Sequence, residues 1–547
     1  MCEEGFLLEK ILKNDENKRN ILIGGAWPYA NSSLHLGHLA ALISGDFLKR
    51  YHELLGDNVV YVSGTDCHGT PITERAKSEG IEPKEIAEKY NKEFNEVFDK
   101  MNFSYSLYTK TCEEYHKKHV EEMFLKMYEN NYIYSKKTEQ PYCEHCGKFE
   151  ADRELELKCP ECGEVTKGDQ CDCGYVPKEE DLIGAICREC GNKTIQKENT
   201  HLYLALSKFQ KQIEKYAKEK QENWRVASRN ETEKYIKEGL KDRAVTRDLS
   251  WGVDIPIEGF ETKKMYVWIE AVLGYITATQ RFCEENGLNW EEFWKKGNNI
   301  KMYMCHGKDN ITFHTIILPV LLMAMDENYH LPDTMVATQY LNINSEKISK
   351  SKGNGITILK MIEDYNVDSL RYYMISHGPE NKDVDFTIEN YVNVHNSDIV
   401  NKFGNFVNRT LRFKGLDKIT VGTMDEQINE NIKETYDITS KYIENLEFKK
   451  ACNKIIELIE IGNKYYDDRK PWIQKKENIE EFNNTIYTCA NVIANLSNLL
   501  EPIMPETSSK LRLFLNIENP SWKQIQIQDE ISLENIEMLF ERIDISK

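Results

Sequence analysis

The sequence predicts an α/β chain: a doubly wound parallel sheet, interrupted by a cysteine-rich insertion and followed by an all-α helical bundle. Three observations carry this. The stretch from Arg19 to Ile72 alternates strand, helix and strand patterns. Eight of the 15 cysteines fall between Cys143 and Cys190. Beyond Asn396 only helical spacing remains, as in Cys452, Ile455, Ile456 and Ile459.

In chain order, "RNILIGGAWPYA" reads as a short buried strand running into a loop. The following "SSLHLGHLAALISGDFLKRYHELLG" puts Leu39, Leu42, Ile43 and Phe47 on one helical face, and Gly56 ends it. "NVVYVSGTDCHGTPI" is a second strand ending in a polar loop. Strand, helix, strand implies a right-handed crossover, and ligands of such sheets bind beyond the carboxyl ends of the strands. From Tyr142 to about Asn199 periodicity fails. It resumes in "KMYVWIEAVLGYI", "IKMYMCHGKDNITFHTIILPVLLM" and "PDTMVATQYLNI". The expected division is 1–141 and 200–345 for the two halves of a Rossmann-type domain, with 142–199 as the insertion. Residues 346–395 form a lysine-rich loop with a connecting region, and 396–547 the bundle.

A chain of 547 residues exceeds one hydrophobic core. The first twenty residues carry Glu, Lys, Asp and Arg throughout, unlike a secretion signal, and "IILPVLLMAM" falls far short of the ~20 residues of a membrane span. A cytoplasmic location is expected. A formal charge of −19 argues against non-specific nucleic-acid binding, though not against local basic patches.

Reducing compartments favour metal ligation over disulfides. The cysteines fall in four pairs: Cys143 with Cys146, Cys159 with Cys162, Cys171 with Cys173, and Cys187 with Cys190. Two thiolates two residues apart, followed by a glycine that permits the tight turn, supply half of a tetrahedral zinc site, so four pairs imply two structural Zn2+ ions. The inner two pairs are expected to share one ion and the outer two the other, with sequential pairing equally open on spacing. The single residue between Cys171 and Cys173 alters the bite of that pair and weakens its site. Thiolate-only coordination leaves no open position for catalysis.

His35 and His38 bracket Gly37 at the start of the first helix. Such a pair can ligate a metal, pack in a core or donate to an anion. The helix N-terminus after a strand favours phosphate, and Gly37 lets a ligand approach the backbone. About three hundred residues later "EKISKSKGNGITI" gathers Lys347, Lys350 and Lys352 in a glycine-bounded loop able to close over a triphosphate.

Together "HLGH" and "KISKS" resemble the HIGH and KMSKS signatures of class I aminoacyl-tRNA synthetases. The matching segments run from Asn20 to about Pro471. "PYANSSLHLGH", "GTDCHGTPI", "TRDLSWGVDIP", "YVWIEAVLGY", "GKDNITFH" and the four-knuckle insert resemble the methionyl-tRNA synthetase family in particular. The resemblance implies ATP-dependent formation of an aminoacyl-adenylate and transfer to tRNA. His35, His38, Lys347 and Lys350 would stabilise the transition state; His35, Gly37, His38 and Lys350 would contact ATP, with Mg2+ on the triphosphate. Asp66 would bind the substrate ammonium, and Trp27, Pro28, Tyr29, Trp268, Ala271, Tyr275 and His314 would wall the methionine pocket, where rings favour a thioether.

The pocket departs from the commonest family pattern at Trp27, Glu270, Val272 and Leu318. Asn405, Arg409 and Trp472, in "VNKFGNFVNR" and "RKPWIQ", match anticodon-reading positions, here for CAU. The isoleucyl, valyl, leucyl and cysteinyl enzymes are the nearest alternatives, but the first three carry a large editing insertion, unlike this short cysteine-rich one. A tRNA-binding protein without catalysis is the alternative from another class. The chain ends soon after the bundle with no further strand-rich segment, and a monomer is expected.

Overall fold

A computed structural model describes residues 18–544, apart from 151–153, 169–170, 172, 174, 176, 344–345 and 348–355. "NILIGG" forms β1 (Asn20–Gly25), α1 spans Leu36–Leu55 and β2 Asn58–Thr65. Strand β3 is Leu107–Lys110, followed by α2 (Glu114–Glu129). An arm then leaves as β4 (Ile133–Cys143) and returns antiparallel as β5 (Ile195–Leu204), pairing Ile133 with Leu204 and Tyr142 with Ile195. Helix α3 (Val267–Glu285), β6 (Ile300–Gly307), α4 (Leu318–Met325) and β7 (Thr334–Thr338) complete the domain.

The central sheet runs β7-β6-β1-β2-β3, all parallel. Its inner strands, β6, β1 and β2, are buried along most of their length, which is why they read as continuous apolar runs rather than alternating ones. The order reverses between β1 and β6, so the crevice beyond their carboxyl ends is the switch point where ligands of such sheets bind.

The arm carries the cysteine module, whose small sheet places Leu155–Lys158 between Val165–Lys167 and Ile186–Cys187. Among the described residues its apolar core is Leu155, Leu182 and Ala185, with Leu157 against them.

A helical run crosses the expected boundary at 395/396 without a break. Ile388–Val394 continues through a π-helical stretch, His395–Gly404, into α5 (Asn405–Leu411). Helices α6 (Glu426–Glu444), α7 (Phe448–Arg469), α8 (Pro471–Glu477) and α9 (Ile479–Leu499) build the bundle. It is not wholly helical: Lys418 and Ile419 pair antiparallel with Ser532 and Ile531, where the chain end folds back.

A buried ionic joint fastens bundle to sheet domain. Arg371 and Asp46 are both fully buried and paired, and Asp46 also accepts from Arg50 at 3.0 Å. Burial would raise the Asp46 carboxyl, but Arg50 and Arg371 hold it well below the usual range. The Arg371 guanidinium also donates to the carbonyls of Met101 and Ile503, each at 3.0 Å, and Arg50 reaches Glu501 at 3.0 Å. Among the described residues no helix is long and apolar enough to cross a membrane.

Candidate active site

The N-terminus of α1 is capped by its own histidines. The His35 backbone N–H donates to Nδ1 of His38, and the Gly37 N–H donates to Nδ1 of His35, both at 3.1 Å. Each Nδ1 is therefore an acceptor, which puts the imidazole hydrogen on Nε2. The rings lie 3.9 Å apart. Two N–H donors thus accompany the backbone amides and dipole of a twenty-residue helix.

A cleft of about 340 Å³ opens beside them. It is lined by Ala26, Trp27, Pro28 and Tyr29 after β1, by His35, Gly37 and His38, by Gly307 to Asn310 after β6, and by Thr338 to Leu341 after β7. It therefore occupies the switch point. The described residues flanking the lysine-rich loop pair with Asn342 and Ile343 and with the start of α1. Strand residues Glu346 and Lys347 pair with Ile343 and Asn342, and beyond the loop Ile356 accepts from Leu36 N–H at 3.2 Å while Ile358 N–H donates to Leu34 at 3.0 Å. Lys350 and Lys352 lie outside the described residues.

Asp66 sits on the second side of the β1 loop. Its N–H donates to the Pro28 carbonyl and its carbonyl accepts from Ala30, each at 2.9 Å, so β1 and β2 tips stay zipped past the sheet. The side chain is buried, and burial followed by the nearby Glu270 carboxylate raises its pKa well above the usual carboxylate range.

Trp27 is wedged between two backbones. A Cβ on Gly64 would come within 2.2 Å of its indole, and one on Gly274 within 2.7 Å, so glycine at both positions makes room for a ring this large. Its edge meets Tyr275, with centroids 6.2 Å apart. The Tyr275 hydroxyl donates to Nε2 of His314 at 2.9 Å, because the His314 Nδ1–H is committed to the Asn310 carbonyl at 2.8 Å. Burial brings His314 down to about 4, leaving a neutral imidazole. It stands in a π-helical turn, Phe313–Ile317, and stacks on His306 at 4.2 Å. Pro28 and Ala271 are buried, while Trp268 is 36% exposed, edge-on to Phe313 at 4.4 Å, and is not among the residues lining the cleft. Val272 and Leu318 are core residues.

Sequence reasoning missed the array behind Asp66. Glu270 is fully buried, with one oxygen on Nδ1 of His68 at 2.9 Å and the other on Nε2 of His116 at 2.7 Å. Burial would raise Glu270, but the two histidines hold it below its ordinary value. Its signal was a carboxylate within an apolar helix, noted only as a departure from a pattern.

The cysteines form two groups, Cys143, Cys146, Cys187 and Cys190, and Cys159, Cys162, Cys171 and Cys173, which selects the nested pairing. Four sulfurs ~2.3 Å from a tetrahedral centre lie about 3.8 Å apart. The sulfur separations of 3.4 and 3.8 Å in the outer group and 3.7 and 3.5 Å in the inner fit that geometry.

On the bundle, Asn405 and Arg409 lie one turn apart on α5. Arg409 is tied to Asp467 at 2.7 Å and lies 4.2 Å over the ring of Tyr466, which is 6.1 Å from that of Trp472. Lys470, left-handed at φ 52°, and Pro471 turn the chain so that Trp472 is 46% exposed. Asn405 is also exposed.

A switch-point cleft capped by paired histidines, with a helical bundle attached, defines a class I aminoacyl-tRNA synthetase. Residues 21–411 match the family described as tRNA synthetases class I (M), and residues 417–542 the anticodon binding domain of methionyl tRNA ligase. Methionine–tRNA ligase 1 of Alkaliphilus oremlandii is 43% identical over 96% of this chain and 97% of its own, and that of Bacillus cereus strain G9842 is 44% identical over the same shares. The Mycobacterium tuberculosis methionyl-tRNA synthetase in complex with methionyl-adenylate shares the fold, with TM-score 0.77 at 22% identity over 96% of this chain and 100% of that one. The chain belongs to the methionine–tRNA ligase family.

Proposed function

We propose that the chain activates L-methionine with ATP and transfers the methionyl group to a tRNA(Met) bearing a CAU anticodon, acting in the cytoplasm as a single chain. The observation that carries this is the backbone pairing of Leu34 and Leu36 with Ile358 and Ile356, which ties the histidine-capped helix to the end of the lysine loop.

The methionine carboxylate attacks the α-phosphorus; an O–P bond forms, the α–β bridge breaks and pyrophosphate leaves. No enzyme nucleophile takes part. The Nε2–H groups of His35 and His38, the α1 amides, Lys347 and Lys350 bind charge growing on the phosphates, and Mg2+ accompanies the triphosphate. The terminal adenosine hydroxyl of tRNA then attacks the methionyl carbonyl, and AMP departs. Asp66 holds the ammonium, while Trp27, Tyr275 and neutral His314 receive the thioether. The two thiolate sets hold structural Zn2+.

Amino-acid-dependent ATP–pyrophosphate exchange tests the reading. Exchange with methionine alone supports it; exchange with another amino acid, or with none of the twenty, overturns it.

Asp66→Asn should raise the KM for methionine about a hundredfold with a much smaller effect on kcat, as for loss of a charged hydrogen bond worth ~1.5–3 kcal/mol. Because Asp66 titrates above the usual range, its ammonium-binding anion accumulates only as pH rises. The wild-type KM should therefore fall with rising pH on the acid limb, and the variant should flatten that limb. An unchanged profile would remove Asp66 from this role. The sign for stability is opposite: a raised carboxyl pKa makes Asp66 costlier to the fold as pH rises from its ordinary to its elevated value.

Trp472→Ala should weaken tRNA charging about tenfold to a hundredfold, as base–aromatic stacking is worth ~1–3 kcal/mol, and leave pyrophosphate exchange intact. Equal loss in both assays would assign Trp472 to folding.

A further inference from the structure

Cys67 directly follows Asp66, and Cys112 stands at the matching place beyond the neighbouring strand. The register pairs Thr65 of β2 with Lys110 of β3, the last residues of the two strands, and Cys67 and Cys112 each lie two residues beyond that pair. The strand tips stay joined there: Thr111 N–H donates to the Thr65 carbonyl at 3.0 Å, and Cys67 N–H to the Thr111 hydroxyl at 2.9 Å. Adjacent strands run about 4.8 Å apart, inside the Cα separation a disulfide spans, and the two cysteines follow directly on the ends of such a pair. The Cys67 thiol donates to the Thr65 carbonyl at 3.4 Å, and the two thiols stand close enough to shift one another's ionisation. Cys67 is wholly buried and Cys112 half-buried, so Cys112 is the more accessible of the two to a small oxidant. Neither belongs to the metal sets, and the adenylation chemistry uses neither.

We propose that Cys67 and Cys112 are an oxidant-responsive pair that forms a reversible disulfide with hydroperoxides and thereby disables the amino-acid site. The neighbouring Cys67 thiol, with Lys110 and Lys117 nearby, holds the Cys112 thiol below its ordinary value, whereas burial pushes Cys67 up. Cys112 thiolate attacks the peroxide oxygen; an S–O bond forms, the O–O bond breaks, and the leaving oxygen departs as water or an alcohol after protonation. Cys67, surrendering its proton, then attacks the Cys112 sulfur. The S–S bond forms, the S–O bond breaks, and that oxygen leaves as water. Two electrons pass from the thiols to the hydroperoxide, and a dithiol returns them. The new bond pulls on the residue next to the Asp66 carboxyl, whose position the ammonium requires.

The test treats the full-length, zinc-loaded protein with hydrogen peroxide. It reads the Cys67–Cys112 peptide link by mass, methionine-dependent exchange by assay, and zinc release by metal analysis. Wild type should show the link and lose exchange about tenfold or more, regained with dithiothreitol, since displacements near 1 Å at reacting groups can cost ~10²-fold. Cys112→Ser should release zinc like wild type yet lose less than about twofold. Cys67→Ser should also form no link and serves if the first variant folds poorly. Absence of the linked peptide, linkage without loss of exchange, or equal losses in wild type and variant would each overturn the assignment. Loss of activity on linkage rests on Asp66 as ammonium ligand; the link itself does not, and the Asp66→Asn profile judges that role separately.

Discussion

His38→Ala is expected to lower kcat for adenylate formation by about 10²–10³, with kcat/KM falling in parallel and the KM values for methionine and ATP little changed. Removing one preorganised donor from a developing oxyanion costs ~2.7–4 kcal/mol in comparable sites. The effect is confined to the transition state because the donor is fixed before substrate arrives: the His35 N–H occupies Nδ1 of His38 and so puts its hydrogen on Nε2. The lost half of the capping box costs only ~0.5–2 kcal/mol of stability, too little to unfold a helix buried along Leu39, Leu42, Ile43 and Phe47. Steady-state exchange together with thermal melting separates the two. An increase in KM with unchanged kcat would mean that His38 binds ATP in the ground state instead.

Stripping the metal is expected to unfold the module between residues 142 and 199 while the parallel sheet stays intact. Among the described residues the module's apolar core is Leu155, Leu157, Leu182 and Ala185, and full burial of a large aliphatic side chain is worth ~1.5–3 kcal/mol. Ordering costs ~1–2 kcal/mol per residue, so that core cannot order the segment. Thiolate-bound zinc supplies ~10–16 kcal/mol per site, and binding energy there is folding energy. Chelation followed by hydrogen exchange should therefore erase protection in the module and leave it in β1, β2 and β6, with two Zn2+ per chain in the untreated protein. The inner site should empty first, because Cys162 and Cys173 are exposed whereas the outer set has no exposed member. Persistent protection after metal loss would refute a metal-held module.

Much of the architecture was legible because it is local. Inner strands buried along most of their length read as apolar runs, α1 reads by its spacing, and each cysteine pair announces half a site. The pairing of knuckles was not legible, since both schemes satisfy the spacing; only the return of the arm along β5 brings Cys187 and Cys190 to Cys143 and Cys146. Nor was the Glu270 array, whose members come from three segments, His68, His116 and Glu270. The helical run through 395/396 was missed because a continuous helix leaves no punctuation to read.

The sequence by itself determined the chemistry that could be present: phosphate-seeking histidines at a helix start, a lysine loop, thiolate pairs, an aspartate in a polar loop. These depend on residue type and short spacing. Tertiary structure alone decided which groups meet and in what state. The helix–loop contact spans about three hundred residues, the tautomers of His35 and His38 follow from backbone hydrogen bonds, and the raised pKa of Asp66 follows from burial beside Glu270. Desolvation and cross-strand proximity are properties of packing, and packing is not written in any local pattern.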